Sequence, residues 1–195
     1  MRILVLYCHP VERSFNAAVH RTVVQTLTEQ GHEVDDCDLY ADGFNPALSR
    51  EELLVYHDTT KNQGVTRPYI ERLLRAEGLV MVFPVWNFGL PAMLKGFIDR
   101  VFVPGVSFDM SDPRRIQPGL THLRRVSGVT TYGVPRWKAM WLGDSARATI
   151  LRFCKRLTGG RATVTYDALY GVNTASPSDL ARFMQKIRAA MTDFR

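Results

Sequence analysis

Two short stretches of this sequence concentrate residue types that can do chemistry. The first, His9-Pro10-Val11-Glu12-Arg13-Ser14-Phe15-Asn16, follows an apolar run and opens a segment with helical spacing. Ser14 and Asn16 can supply side-chain donors there, and a helix start supplies free backbone N–H groups. Arg13 can add positive charge, so the stretch is suited to holding a phosphate. The plainer alternative is helix capping by Ser14, with His9 and Arg13 exposed. The second stretch is Pro84-Val85-Trp86-Asn87-Phe88, running on to Gly89-Leu90-Pro91, where two large aromatics flank an amide just past another apolar run. Connections are usually polar. A planar heteroaromatic ligand would use those flat faces for stacking and the backbone N–H groups for its carbonyls and nitrogens. Alternatively, Trp86 and Phe88 cap the core or form a subunit contact.

The elements that must position these stretches follow from periodicity. Arg2 to Cys8 is rich in branched apolar residues and stops at His9-Pro10, as a first strand would. Ser14 can cap a helix with apolar positions Phe15, Ala18, Val19, Val23 and Leu27, stopped at Gly31. His32 to Leu39 is the second strand. Tyr40 to Ser49 is turn-rich, and Arg50 to Gln63 is a polar, weakly patterned excursion. A helix begins near Pro68 and runs to Glu77, with Tyr69, Ile70, Leu73 and Leu74 on one face and Gly78 at its end. Leu79 to Phe83 is continuously apolar, as expected for a central parallel strand.

Pro91 opens a further helix to Phe102 carrying Leu94, Phe97, Ile98 and Val101, and Pro104-Gly105 closes it. Val106 to Gly119 mixes turn formers with charge. Leu123 to Thr131 is a fourth strand, and Thr130-Thr131-Tyr132-Gly133 lies at its carboxyl end. Trp137 to Thr158 is helical in its second half (Ala146, Ile150, Phe153, Leu157), and Ala162 to Leu169 is the fifth strand. Ser176-Pro177 starts a last helix with Leu180, Phe183, Met184, Ile187 and Met191 on one stripe. Alternating strands and helices of this kind predict an α/β fold: one doubly wound five-stranded parallel sheet with helices on both faces, residues 1–195 forming a single domain. Ligands bind such sheets beyond the strands' carboxyl ends, which selects the segments after strands one, three and four.

Composition narrows the function. The chain has 195 residues, 46% of them apolar, enough for a full core without disulfide or metal staples. Its three cysteines, Cys8, Cys37 and Cys154, show no C-x-x-C spacing, which points to a reducing, cytoplasmic setting. Cys8 is expected to be a buried small residue. No apolar run reaches the ~20 residues of a membrane span. The net charge of +6 could attract phosphates, but the arginines are scattered without interleaved aromatics, so nucleic acid is not an expected partner. Neither G-x-x-x-x-G-K-[ST] nor G-x-G-x-x-G occurs. His20, His32, His57 and His122 have no metal-ligand spacing and are expected at solvated positions.

The chain resembles the flavodoxin-like NAD(P)H:quinone oxidoreductases. The resemblance rests on Phe83-Pro84, Phe88-Gly89, Pro91-Ala92, Leu94-Lys95-Gly96 and Arg100-Val101-Phe102, with the early His9 and Ser14-Phe15-Asn16, and Leu39-Tyr40 followed by Phe44-Asn45-Pro46. It implies a flavodoxin-like domain and a non-covalently bound flavin. It also implies a homodimer with its sites at the interface, and two-electron transfer from NADPH or NADH to a quinone. His9, Ser14, Phe15 and Asn16 match the segment holding the flavin phosphate or ribityl part. Pro84, Val85, Trp86, Asn87 and Phe88 match the segment along the ring, and Thr130, Thr131, Tyr132 and Gly133 match the fourth-strand loop.

Relatives of this group have a Tyr and a His after that loop. Here Trp137 and Trp141 stand there, with Leu142 before Gly143-Asp144, and the charge-stabilising role is unassigned. Tyr132 stands where the family often has glycine, so it would narrow the ring's surroundings or supply a hydroxyl donor. Phe108, Trp137 and Trp141 are candidate walls for the acceptor. The chain lacks the long C-terminal extension of larger members, which favours FMN, with FAD as the alternative. A regulatory flavoprotein subunit of a potassium efflux system is a second implied role, with Arg50 to Gln63 as a contact surface.

Overall fold

The computed structural model describes residues 1–112 and 114–195; Pro113, in the turn-rich Val106–Gly119 connection, lies outside them. Strand β1 (Arg2–Tyr7) leads through the Ser14 cap into helix α1 (Phe15–Glu29), where the Ser14 hydroxyl accepts from the Ala17 N–H at 3.1 Å. Gly31, at φ 77°, lets the chain turn back into β2 (Glu33–Asp38). The Arg50–Gln63 excursion is more ordered than its polarity suggests. Ser49 and Glu52 form a capping box that starts the short helix α2 (Arg50–Leu54). Glu52 then accepts from the Arg100 guanidinium at 2.9 and 2.7 Å, and that guanidinium also bonds the Asn45 carbonyl. A buried arginine thus holds the excursion to the body of the protein.

Helix α3 (Arg67–Arg75) ends earlier than its pattern suggests. Gly78 is not its stop but the first residue of β3 (Gly78–Val85), where a side chain would come within 2.9 Å of Phe194. Leu74 is exposed, and only Ile70 and Leu73 of the expected face are fully buried. Strand β3 is buried from Gly78 to Pro84 and continues through Pro84 and Val85, so those two belong to the sheet rather than to a loop. Helix α4 (Ala92–Val101) follows with Pro91 as its cap. A small antiparallel pair, β4 (Phe108–Asp109) and β5 (Gln117–Pro118), lies in the connection to β6 (Arg125–Tyr132).

The region from Trp137 to Thr158, expected to be helical in its second half, is divided. Helix α5 (Arg136–Trp141) ends at Gly143, α6 (Ser145–Ala148) starts again, and Thr149–Cys154 form a π-helical segment before α7 (Lys155–Leu157). The wider turn rotates the residues beyond it about the helix axis, so Phe153 lies partly in solvent and Cys154 takes the inward position. Strand β7 (Thr163–Tyr170) and helix α8 (Pro177–Thr192), started by a Ser176–Asp179 capping box, complete the chain.

The five long strands are parallel, in the order β2-β1-β3-β6-β7. One face of the sheet (Ile3, Val5, Val80, Val82, Val129) packs on α1 and α8. The other (Leu4, Leu6, Leu79, Met81, Phe83) packs on α3, α4 and the α6–α7 region. This is the expected doubly wound arrangement.

Helix α4 lies close to the Phe44–Pro46 segment at one point. A side-chain carbon on Gly96 would meet the Pro46 carbonyl and stand 2.5 Å from its Cα, so only glycine fits. Gly96→Ala, which would stabilise an ordinary exposed helix, should here lower unfolding free energy by about 1–3 kcal/mol in urea titrations; unchanged or increased stability would refute the packing assignment.

Candidate functional site

The parallel register brings the three selected segments to one edge. Pro84 pairs with Thr131 and Val85 with Tyr132, while the Cys8 N–H donates to the Val82 carbonyl at 3.0 Å, which carries the first strand's exit alongside. Past β3 the chain makes a two-residue hairpin turn. Trp86 and Gly89 exchange backbone bonds of 3.2 and 3.0 Å, and Asn87 and Phe88 between them have φ of 48° and 64°. Positive φ at both central residues marks a type I′ turn, an uncommon choice without glycine at either place. The Phe88 carbonyl is held by the Ser145 hydroxyl at 2.8 Å. The Asn87 and Phe88 N–H groups have no acceptor among the described residues.

Val85, Trp86, Asn87, Phe88, Tyr132, Gly133 and Val134 line a shallow cleft of about 330 Å³. His9 reaches toward it, its ring 5.9 Å from that of Trp86. The His9 Nδ1 accepts from the Val11 N–H at 3.0 Å, which leaves Nε2 as the donor, and burial lowers the ring's pKa. Asn16 is 6% exposed. Its amide donates to the Thr131 hydroxyl at 2.9 Å, while its Oδ1 is buried without a partner; Thr130, next to Thr131 on β6, faces the opposite layer, toward Tyr166. Buried polar atoms are normally satisfied. One unpaired amide oxygen at the strand ends, with turn N–H groups that have no acceptor and the open first turn of α1, suits a ligand with hydroxyls, an anionic tail and a flat ring.

The remaining expected residues divide. Ser14 caps α1 and Arg13 is exposed, both at the mouth of the site. Phe15 is half-buried against Phe183, 6.3 Å between rings, and so supports α1 more than it faces the cleft. Gly133 is packed so closely that a side chain would come within 2.9 Å of Asn173. Tyr132 is 1% exposed and its hydroxyl donates to Asp144, so it is not a free donor to a ring.

Phe108 lines a different hollow of about 800 Å³ with Ile116, Pro118, Arg152 and Phe153. Trp137 and Trp141, 70% and 79% exposed, lie on the outside of α5 and do not line the cleft. Of the other histidines only His57 is exposed. His20 stacks on Tyr7 at 4.1 Å and bonds Asp36, His32 lies 3.3 Å from the N-terminal amine, and His122 bonds the Leu73 carbonyl. Residues that pattern alone did not select are Asp144, Ser145, Tyr166 and Tyr170, which support the cleft from behind. Their one outward sign is Gly143-Asp144, a break inside a helical pattern.

Residues 1–190 match the family described as flavodoxin-like fold. Among curated proteins, an uncharacterized NAD(P)H oxidoreductase of Haemophilus influenzae is 33% identical over 138 residues, covering 68% of this chain and 65% of that protein. NAD(P)H dehydrogenase [quinone] 1 of Rattus norvegicus is 32% identical over 123 residues, 55% of this chain and 45% of that protein. The chain spans about half to two thirds of the length of the curated relatives it matches. Among solved structures, Smu.1420 of Streptococcus mutans UA159 superposes with a TM-score of 0.89 at 27% identity, with both chains covered completely.

All three cysteines are free and buried, and burial pushes each thiol up to about 12. The thiolate is the reactive form, so the native protein should give no rapid colour with a thiol reagent at pH 8 and three equivalents in urea; fast native labelling of Cys8 would contradict its assignment as core.

Proposed function

The chain belongs to the flavodoxin-like fold family, and on that premise we propose that it is a flavin-dependent NAD(P)H oxidoreductase passing two electrons to a quinone-type acceptor. The names of its relatives, an NAD(P)H oxidoreductase and an NAD(P)H dehydrogenase [quinone], support the class. The observation that carries the reading is the Trp86–Gly89 turn, whose two central N–H groups have no acceptor among the described residues, at the same sheet edge as the buried, unpaired Asn16 Oδ1.

When bound, a flavin supplies the hydride chemistry at this site. The α1 start and Ser14 bind its phosphate, Arg13 adds charge at the mouth, and Asn16 Oδ1 accepts from a ribityl hydroxyl. The Asn87 and Phe88 N–H groups donate to the ring edge and favour negative charge developing there. Trp86 and His9 form a wall beside the ring. In net terms the nicotinamide gives up a hydride, and the quinone takes two electrons and two protons, the second proton coming from water.

FMN fits better than FAD. Beyond Val134 a further cleft of about 480 Å³ carries Arg136, Arg182 and Lys186, which could face a second phosphate. Two of the three cations are already neutralised, Arg182 by Asp179 at 3.0 Å and Lys186 by Asp167 at 2.7 Å. We take the chain as a single cytoplasmic domain and as a homodimer in which the hollow around Phe108, Ile116 and Phe153 meets a second copy. A regulatory subunit has weaker support, because neither relative described above carries that role in its name.

The test is reconstitution. Purified protein should bind FMN, turn yellow and oxidise NADPH or NADH with a simple quinone, and Asn16→Ala should bind FMN roughly tenfold more weakly, the loss of about 1.4 kcal/mol expected for one hydrogen bond. A colourless protein that takes up neither FMN nor FAD overturns the reading, and tighter binding of FAD than FMN overturns the choice of cofactor.

A further inference from the structure

Behind the cleft is a buried hydroxyl and carboxylate cluster with no role in the reading above. Asp144 is 5% exposed and stands at φ 38°, a left-handed conformation that residues with side chains rarely adopt. Its Oδ1 accepts from the Tyr132 hydroxyl and from the Arg147 N–H at 3.3 Å, and its Oδ2 accepts from the Tyr170 hydroxyl at 3.2 Å. The Tyr166 hydroxyl is 2.5 Å from that of Tyr132. Since the Tyr132 proton points to Asp144, Tyr166 must be the donor in that pair. Tyr132 and Tyr170 are also stacked, 4.4 Å between centroids. One carboxylate therefore ties β6, β7 and the start of α6 together.

The next residue links this cluster to the cleft. Ser145 donates to the Phe88 carbonyl, on the turn that lines the cleft. Burial, and then the bonds to Asp144, raise the pKa of the Tyr132 phenol, so it stays protonated and keeps its hydrogen bond to Asp144. The Arg147 guanidinium lies 5.6 Å from the Tyr166 ring centroid.

We propose that Asp144 is the positioning residue of the cofactor turn: gripped by Tyr132 and Tyr170, it sets the left-handed start of α6 from which Ser145 holds Phe88. Its charge also lies behind the ring site, where it disfavours the reduced, more negative cofactor relative to the oxidised one. This rests on the flavin reading. No role of this kind follows from helix capping alone, because capping would not connect to the cofactor's potential.

The experiment titrates FMN into wild type, Ser145→Ala, Asp144→Asn and Tyr132→Phe, reading oxidised-flavin affinity by fluorescence and the midpoint potential of the bound flavin by dye equilibration. Each variant should bind oxidised FMN several-fold to tenfold more weakly. Asp144→Asn alone should also raise the potential, by about 30 mV if oxidised FMN loses tenfold more affinity than reduced FMN in a two-electron couple. Ser145 is exposed, so its alanine variant leaves the buried cluster intact and tests the link to the turn even if Asp144→Asn fails to fold. If wild type binds no flavin, the flavin reading falls and the proposal with it. If wild type binds FMN and Ser145→Ala or Asp144→Asn matches its affinity, or Asp144→Asn binds more weakly at an unchanged potential, the proposal alone is overturned.

Discussion

The register between β3 and β6 places Val85 beside Tyr132, and with it the points at which the central strands leave the sheet. Both strands are covered on their two faces, so a slip of either by one residue would turn its core side chains to the opposite layer. The bond from Cys8 to the Val82 carbonyl adds the exit of β1 to the same edge. Everything assigned to the candidate site depends on this alignment: Asn16 meets Thr131 across 115 residues of chain, and His9 lies near Trp86, because three strand ends are level.

The Trp86–Gly89 turn shows how such an edge becomes specific. A type I′ turn normally takes glycine or asparagine at its centre, and here phenylalanine fills the second place at φ 64°. Strain of that kind persists only where surrounding contacts determine it. The two bonds between Trp86 and Gly89 and the grip of Ser145 on the Phe88 carbonyl supply that determination. The result is a pair of backbone donors with no acceptor among the described residues, left unconsumed by the fold.

Charge is distributed in keeping with this division. The buried guanidinium of Arg100 is satisfied by Glu52 and the Asn45 carbonyl and acts in packing. Many surface cations, such as Arg67 with Glu71 and Lys95 with Asp99, are also paired. The positive balance of the whole chain is therefore less informative than the few groups at the strand ends, and exposed pairs of this type add little stability.

What could be learned from the chain alone was whatever depends on near neighbours in sequence. The Ser14 and Ser176 caps, the continuously apolar β3 and the alternation of strands and helices are local signals, and together they determine a doubly wound parallel sheet and mark which strand ends matter. They also marked the His9–Asn16 and Pro84–Phe88 segments. Position in three dimensions decided the rest. Trp137 and Trp141 have the composition of a binding wall but lie on the outside of α5, and the π-helical turn put Phe153 outward where regular spacing placed it inward. The Asp144 cluster joins residues 12 and 26 apart in sequence through side chains that have no periodicity to reveal them. Hydrogen bonds between distant side chains follow from the packing of finished elements, so only the tertiary structure could bring that carboxylate, its tyrosines and the turn they support into one site.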